Sequence, residues 1–139
     1  MLGSAVIEQA LVALVVAANT VADDRMRPLE LLREPPMPAI TYQRISTPRP
    51  LAHNGDQGYA MFRVQINCWA ERTVTGSGYA QVKQLAEEVR LALNGFSGTV
   101  AGVVVGLIQI DGERDETDPE RNFERVLLEA SGNYREAKP

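Results

Sequence analysis

The sequence holds few of the residues that build disulfides, metal sites and most catalytic centres. Its 139 residues include one cysteine, Cys68, and one histidine, His53. A single cysteine excludes an internal disulfide and any cysteine-rich metal site. Cys68 lies in a run of alternating apolar residues, so we interpret it as a buried structural thiol rather than as a nucleophile for His53.

The chain is also poor in lysine and carries more acids than bases. Lys and Arg number 14 against 18 Asp and Glu, which gives a net charge of −4 and a pI near 5.0. This balance disfavours a protein that holds a nucleic-acid backbone by counterion release. Only Lys83 and Lys138 are lysines. The arginine excess suits interface ion pairs, and a compositional bias of the source genome would produce it equally well.

No apolar run is long enough for a membrane helix. The longest, residues 10–18, is about half of the roughly 20 residues that a bilayer requires. No Lys or Arg precedes it, so we do not expect a signal peptide. The length, with 45% hydrophobic and 23% charged residues, predicts one globular domain over residues 1–139 with a core of its own.

The first predicted helix covers residues 4–19, with Ser4 as the N-cap and Asn19 as the stop. Apolar residues lie on nearly all of its sides. Such a helix must be covered on more than one face, by its own sheet and by another subunit if one is present.

The second predicted helix covers residues 79–93, where apolar residues such as Leu85 recur at spacings of three and four. Asn94-Gly95 after it is typical of a left-handed stop. Ser77 is interpreted as its N-cap. The segment around Ser77 lacks the G-x-S-x-G pattern of a nucleophile elbow, so we do not interpret it as catalytic.

Four segments have the composition or the alternation of β-strands, and a fifth is weaker because it contains Pro28. Together with the helices they give the order α, (β), β, β, α, β, β. This order predicts an α+β fold, an antiparallel sheet of four or five strands with two main helices packed on one face. The four clear strands are 39–45, 59–70, 100–110 and 122–134, and the weaker one is 25–33.

Two segments between these elements are predicted to be loops. Residues 46–58 hold two prolines and two glycines and form a long loop. Residues 111–120 hold six carboxylates, and we interpret them as an acidic hairpin loop. The acidic loop is not an EF-hand, because Glu116 stands where the calcium loop needs glycine. It is either a solvated tip whose charges are partly paired or an acidic surface turned towards a passing polyanion.

No pattern in the sequence predicts a cofactor. Gly95, Gly98, Gly102 and Gly106 fall at a helix end and in a strand region, without the following helix that a phosphate loop needs. We therefore predict no catalytic residues, no metal ligands and no cofactor.

Three strings of the sequence resemble the tail-completion or tail-terminator family of long-tailed bacteriophages and gene transfer agents. They are PAITYQRIS at 38–46, RVQINCWA at 63–70, and the helix pattern Y-x3-K-x-LA-x2-VR-x-AL at 79–93. Each string alone is an ordinary strand or helix, and their combination carries the resemblance, which covers about residues 25–135.

The resemblance implies a structural virion protein without catalysis. Such a protein forms a ring, typically hexameric, at the head-proximal end of the tail tube, where it stops tube polymerisation and joins the tail to the head connector. The implied partners are further copies of the chain, the tail tube protein and the connector or stopper protein. DNA would pass through the ring without specific binding, and no membrane is involved. The implied location is the neck region of the virion tail, after assembly in the host cytoplasm.

Two sets of residues are predicted to serve the ring. Exposed positions of the long loop are expected at a subunit or partner interface: Arg49, His53 and Asp56. The acidic loop is expected to face the lumen and repel DNA phosphates: Asp111, Glu113, Asp115, Glu116 and Asp118.

Other functions stay open at this point. Another neck protein, such as a head-tail stopper, is the nearest alternative. A ferredoxin-like regulatory or ligand-binding module would need a concave pocket with converging polar groups, which the sequence does not indicate. An enzyme would have to use His53 and the carboxylates.

Overall fold

The computed structural model describes residues 6–28, 36–48, 51–52, 55–56, 59–118 and 122–135. In this part of the chain, two helices pack on one face of a mixed sheet of seven strands. The predicted α+β class is confirmed. The predicted sheet of four or five antiparallel strands differs in two details. The weaker strand predicted over 25–33 is present as Met26–Pro28 but pairs in parallel, and the strand predicted over 100–110 falls in three separate strands.

Helix α1 runs from Val6 to Ala17. Ile7, Leu11 and Val15 are fully buried, whereas the opposite side of the helix is only half buried. The chain leaves the helix through Asn19, which has the left-handed φ of 56° expected of a stop. The predicted cap Ser4 lies outside the described residues.

Helix α2 runs from Ser77 to Leu93 and buries Val82, Leu85 and Val89 against the sheet. The prediction that Ser77 caps it is wrong. Gly76, in a left-handed conformation, is the N-cap and provides no side-chain cap. The hydroxyl of Thr73 accepts the Gly78 N–H instead, at 3.2 Å.

Gly78 explains why this helix begins so close to the preceding strand. A Cβ added there would lie 1.9 Å from the carbonyl oxygen of Glu71, so no other residue fits without moving the backbone. At the other end, the Asn94 N–H donates to Arg90, and Gly95 follows with a φ of 86°. The predicted Asn94-Gly95 stop is confirmed.

The strands are named in chain order, and seven of them form the main sheet in the order β1-β2-β5-β9-β7-β6, with β8 also paired to β9. β1 is parallel to β2, and the other pairs are antiparallel. β3 and β4 form a separate two-stranded sheet. The bounds are β1 Met26–Pro28, β2 Ala39–Ser46, β3 Leu51–Ala52, β4 Gly55–Asp56, β5 Tyr59–Glu71, β6 Gly98–Val100, β7 Val103–Val105, β8 Gln109–Asp118 and β9 Phe123–Arg135.

The predicted strand over 100–110 is broken into three pieces. Ala101 and Gly102 have left-handed φ values of 51° and 76°, so the chain turns back and pairs β6 with β7. The three valines at 103–105 form β7, and β8 then starts at Gln109. A glycine that tolerates positive φ converts one apolar run into a hairpin.

The predicted acidic loop over 111–120 is a strand as far as Asp118. β8 pairs with β9 from Gln109 to Asp118, with a bulge between Ile110 and Gly112. Charged residues have low intrinsic β-propensity, and the ladder with β9 overrides it here. Residues 119–121 lie outside the described part of the chain.

The core lies between the helices and one face of the sheet. β5 contributes a full set of alternate residues, and β9 contributes the matching set across the ladder. Cys68 belongs to this set and is fully buried, as predicted. The second face of the sheet, called the open face below, has no described helix packed on it. The buried residues of β5 are Ala60, Phe62, Val64, Ile66, Cys68 and Ala70.

Candidate assembly surface

The long segment predicted to be a loop contains a small hairpin. β3 and β4 pair Leu51 with Asp56 and Ala52 with Gly55, apart from the main sheet. Asp56 therefore lies in β4. Arg49 and His53, the other two predicted interface residues, lie outside the described residues. We call residues 49–58 the arm.

The arm starts and ends at one end of the main sheet. The N–H of Met61 donates to the carbonyl of Pro48 at 2.9 Å, which ties the two roots of the arm together. Met61 pairs with Asn133, near the end of β9. The end of the sheet that carries the arm is thus the end where β2 and β9 finish and β5 begins.

The same end of the sheet exposes several large apolar side chains, which we call the apolar end. Met61 and Leu107 line a shallow groove of about 290 Å³ together with Ser131 and Asn133. Such a cluster is typical of a surface that another molecule covers. The members of the apolar end are Ile45, Met61, Val104 and Leu107, each at least 47% exposed.

The acids of β8 divide between the two faces of the sheet. Glu113 and Asp115 lie opposite Leu128 and Val126, so their side chains are on the helix face. There Lys83 of α2 donates to Glu113 at 2.7 Å and to Asp115 at 3.0 Å.

Tyr79, on the first turn of α2, donates its hydroxyl to Asp115 at 2.7 Å. The hydrogen bonds from Tyr79 and then from Lys83 lower the pKa of Asp115. The bonds that Lys83 makes to Glu113 and Asp115 raise the pKa of that amine. These three groups fasten β8 to the helix layer.

On the open face, Arg63 lies 3.6 Å from Asp111 and also pairs with Glu129. The acidic strand therefore pairs with cations on this face too, and Asp111 is one of the predicted lumen residues. The side chain of Asp118 is not among those described.

Glu116 lies between two arginines on the open face. It accepts from Arg114 at 3.0 Å and pairs with Arg125. Burial, and then the nearby charge of Arg114, lowers the pKa of Arg125. The Arg125 guanidinium lies 5.1 Å from the centre of the Trp69 ring, within cation–π range.

The predicted lumen residues thus present much less unpaired negative charge than the sequence suggested. Four of the five have a cationic partner within the chain. Sequence reasoning missed these partners, Lys83, Arg63 and Arg125. The alternation of β5 placed Arg63, and the helical spacing of α2 placed Lys83, on the polar side of its element, but the register of β8 against β9 was not predictable.

The described residues offer little chemistry beyond binding. No group of three potential metal ligands occurs among them. Burial, and then the charge of Glu113, raises the pKa of the Cys68 thiol, so it is not a thiolate. The Ser77 hydroxyl is bonded to Thr73 at 2.9 Å. Neither described helix has the length and hydropathy needed to cross a membrane.

The fold is similar to a chain in the virion of a native gene transfer agent particle, with a TM-score of 0.69 and 13% identity; the match covers 95% of this chain and 99% of that one. At this identity the likeness shows the fold. A protein from Akkermansia muciniphila, solved without its transmembrane region, matches with 13% identity over 70% of this chain and 46% of its own, but its TM-score of 0.31 supports no argument.

A search of curated proteins gave no match. The sequence matches the family described as "Tail completion protein gp17" over residues 4–131, which includes both helices, the arm and the whole of β8. The chain therefore belongs to the tail completion protein family, and it is a structural protein of the virion tail and neck rather than an enzyme.

Proposed function

We propose that this protein forms a ring at the head-proximal end of the tail tube. There it stops tube polymerisation and joins the tail to the head connector. The observation that carries the proposal is the family match over residues 4–131. The similar fold of a chain in a gene transfer agent virion is consistent with a place in the tail of a phage or phage-like particle.

The geometry supports an assembling protein. The described part of the sheet is covered by helices on one face only, and the open face combines paired charges with the apolar end. A globule of this length has a radius of gyration of about 14 Å, too small to surround a DNA duplex alone. A conduit must therefore be built from several copies, and a closed ring of identical head-to-tail contacts is the simplest way to build one. Six copies are the number that the family resemblance implies.

The test is to purify the chain, measure its mass by light scattering after size-exclusion chromatography, and image the same fraction with and without tail tubes. We expect rings, either free or at one end of the tubes, and tubes of limited length when the protein is present. Rings that bind isolated connectors and ignore tubes would indicate a head-tail stopper. A monomer that ignores both would contradict the proposal.

We also propose that the acids of β8 reduce friction on passing DNA. Like charge repels the phosphates, so the DNA would slide past without binding. The triple change Asp115→Asn, Glu116→Gln and Asp118→Asn should slow DNA ejection and leave ring formation unchanged. Ejection at the rate of the unchanged protein, from normally assembled particles, would refute this role.

A further inference from the structure

The outer side of β8 is a strand edge with unused backbone groups. The N–H of Ile110 points away from β9 and donates to the side-chain oxygen of Asn94 at 2.9 Å. A bulge lies between Ile110 and Gly112, and the pairing with β9 then continues without a break to Asp118. Backbone direction alternates along a strand, and the bulge adds one residue. The groups that point outward after the bulge therefore belong to Glu113, Asp115 and Thr117.

The other side of β9 gives the same assignment. The N–H of Arg72, just after β5, donates to the carbonyl of Asn122 at 2.9 Å. Alternate residues of β9, starting with Glu124, therefore turn their backbone groups towards β5, and the residues of β8 opposite them have no backbone bond to β9. Thr117 lies opposite Glu124. Within the described residues, the outward N–H and C=O groups of the three β8 residues have no hydrogen-bond partner.

The opposite edge of the sheet cannot complement this one. In β1, Pro28 has no N–H, and the N–H of Met26 is bonded to the carbonyl of Asp24 at 2.8 Å. The described part of β1 therefore offers no free donor on its outward side. The edge strand β6 is only three residues long. Among the described edge strands, β8 of a second copy is the one that offers a matching row of donors and acceptors.

The charges along the free edge are matched within the chain. Charged side chains commonly prevent an edge from pairing with another strand. On the helix face, however, Lys83 bonds to both Glu113 and Asp115. On the open face, Glu116 pairs with two arginines. These three acids and three cations together carry no net charge, so two copies of the edge can approach without net repulsion.

The order of the residues selects one antiparallel register. With Asp115 of the two copies opposite each other, outward residues face outward residues, and each such pair exchanges two backbone hydrogen bonds. Arg114 of each copy then lies opposite Glu116 of the other on the open face, which is a favourable cross-strand pair made twice. Moving the register by two residues in either direction sets Arg114 opposite Arg114 or Glu116 opposite Glu116. Like charges directly opposite each other are destabilising, so the register centred on Asp115 is favoured.

The helix layer leaves room for this pairing. α2 lies mainly over β5 and β9. Because strands are about 4.8 Å apart, the α2 helices of two paired copies would be about 19 Å apart, well beyond the roughly 8–10 Å of packed helices. The space between them holds the two Asp115 carboxylates, each bonded to Lys83 and Tyr79 of its own copy. These bonds offset the repulsion between the two carboxylates at the centre of the contact.

We infer that β8 of one copy pairs with β8 of a second copy, in the antiparallel register centred on Asp115, to form a two-fold dimer. This pairing goes beyond the proposed function. A two-fold contact joins the same patch on both copies and closes at two, whereas a ring is built from head-to-tail contacts. The dimer is therefore a form of the free chain, and it covers an edge that would otherwise accept other strands.

Asp115→Cys tests the register by disulfide formation. In the inferred dimer the two Cα atoms at position 115 are about 5.5 Å apart, within the roughly 4.4–6.8 Å that a disulfide spans. Cys68 is fully buried and does not compete. Thr117→Cys is the matched control on the same edge, because Thr117 faces Glu113 of the other copy and the two 117 positions are about 14 Å apart. We expect mild oxidation to give a covalent dimer for Asp115→Cys and not for Thr117→Cys, as measured by non-reducing electrophoresis.

A mixture completes the register test. Glu113→Cys and Thr117→Cys should each give no covalent dimer alone, and an equal mixture of the two should give one, because positions 113 and 117 of different copies face each other. No covalent dimer from folded Asp115→Cys would overturn the inference. Equal amounts of dimer from Asp115→Cys and Thr117→Cys would also overturn it, because chance collisions would then explain the cross-link.

A charge exchange measures the contribution of the cross-strand pairs. Arg114→Glu sets acid opposite acid, and Glu116→Arg sets arginine opposite arginine, so each should raise the dissociation constant of the dimer about tenfold or more. In an equal mixture opposite charges face each other again, and a dimer with one copy of each variant should form. Failure of the mixture to dimerise, with both variants folded in denaturant melts, would contradict the register.

Hydrogen exchange on the unchanged protein covers the case in which a variant does not fold. Exchange at the amides of Glu113, Asp115 and Thr117 should slow as the protein concentration rises. Exchange at Arg114 and Glu116, whose N–H groups face β9, should be slow at every concentration. Equal exchange of the three outward amides across the concentration range would contradict the pairing.

The outcomes are separate from those that test the proposed function. Rings at tube ends together with no cross-link at position 115 would refute the edge pairing and leave the ring standing. A cross-link at position 115 in a protein that, once reduced, forms no rings and ignores tubes would support the pairing and contradict the ring.

Discussion

The two faces of the central sheet carry different kinds of interaction. On the helix face, β5 and β9 bury alternate apolar residues under α1 and α2. On the open face, the same strands carry arginine–carboxylate pairs, the Trp69–Arg125 contact and the exposed Met61. Successive side chains of a strand point to opposite faces of the sheet. Residues that stabilise the fold therefore alternate along one strand with residues that are available for assembly. Changes of buried side chains on the helix face should unfold the chain, and changes of exposed side chains on the open face should leave a folded chain that assembles poorly.

Leu85→Ala should produce the largest loss of stability. Leu85 is fully buried in the middle of α2, so the change removes apolar contacts and leaves a cavity. We expect the free energy of unfolding to fall by about 2–5 kcal/mol in denaturant melts. Leu91→Ala, on the exposed side of the same helix, is the control and should cost less than about 0.5 kcal/mol. A loss below about 1 kcal/mol for Leu85→Ala would contradict the packing of α2 described above.

Glu8→Gln should have the next largest effect. Arg44 donates to Glu8 at 2.9 Å between β2 and α1, and both side chains are mostly buried, at 16% and 14% exposure. Removing the carboxylate charge leaves the arginine charge without its partner. We expect a loss of about 1–3 kcal/mol, smaller than the full cost of breaking a buried pair because Arg44 keeps its contacts with Thr47 and Tyr134.

The double change Glu8→Leu with Arg44→Met separates charge from packing. It removes both charges and fills the same space, so it should recover most of the stability lost in Glu8→Gln. If the double variant were as unstable as the single one, the loss would come from the position of α1 and not from the unpaired charge.

Asp115→Asn should have a small effect that depends on pH. Hydrogen bonds from Tyr79 and Lys83 lower the pKa of Asp115, so its ionised form stabilises the folded chain above the ordinary value of 3.8, and this contribution is lost as the pH falls through the folded value. The loss at pH 7 should stay below about 1 kcal/mol, because exposed ion pairs contribute little. Melts at a pH well below the folded pKa of Asp115 should show no difference from the unchanged protein.

Met61→Ser with Leu107→Ser should hardly change stability. Both side chains are exposed on the open face, so the free energy of unfolding should move by less than about 0.5 kcal/mol. We expect the variant to assemble at higher protein concentration, or to attach less often to tube ends in images of mixed samples. Val74→Ser is the control, since Val74 is exposed in the turn before α2 and lies outside the apolar end. Equal loss of assembly in the control would show that the apolar end is not a specific assembly surface.

Local sequence patterns predicted the elements whose residues follow a single periodicity throughout. The alternation over 59–70 gave β5 and its buried face, and the spacing over 79–93 gave α2 to within two residues of its start. The predicted cap of α2 was wrong because the side chain that accepts a hydrogen bond from the first turn belongs to Thr73, outside the helix, and not to Ser77. A capping residue can be recognised from sequence only when it occupies the usual position.

The acidic segment shows why the candidate surface was harder to predict. Its composition indicates a solvated loop, since six carboxylates in ten residues repel one another and have low β-propensity. The chain supplies Lys83 and Tyr79 on one face and Arg63 and Arg125 on the other. All but Arg125 lie at least 30 positions from their acidic partners. These partners offset the repulsion and keep the segment extended.

The sequence by itself determined the class of the fold, the buried face of β5, the two helices and the resemblance to a family, because each depends on the order of residues along a short stretch of chain. The tertiary structure decided which side of the sheet stays open and where the acids of β8 find their cations. These features depend on strand order and register, which join residues more than thirty positions apart, such as Lys83 and Asp115. No local pattern encodes such pairings, because their energy exists only after the chain has folded.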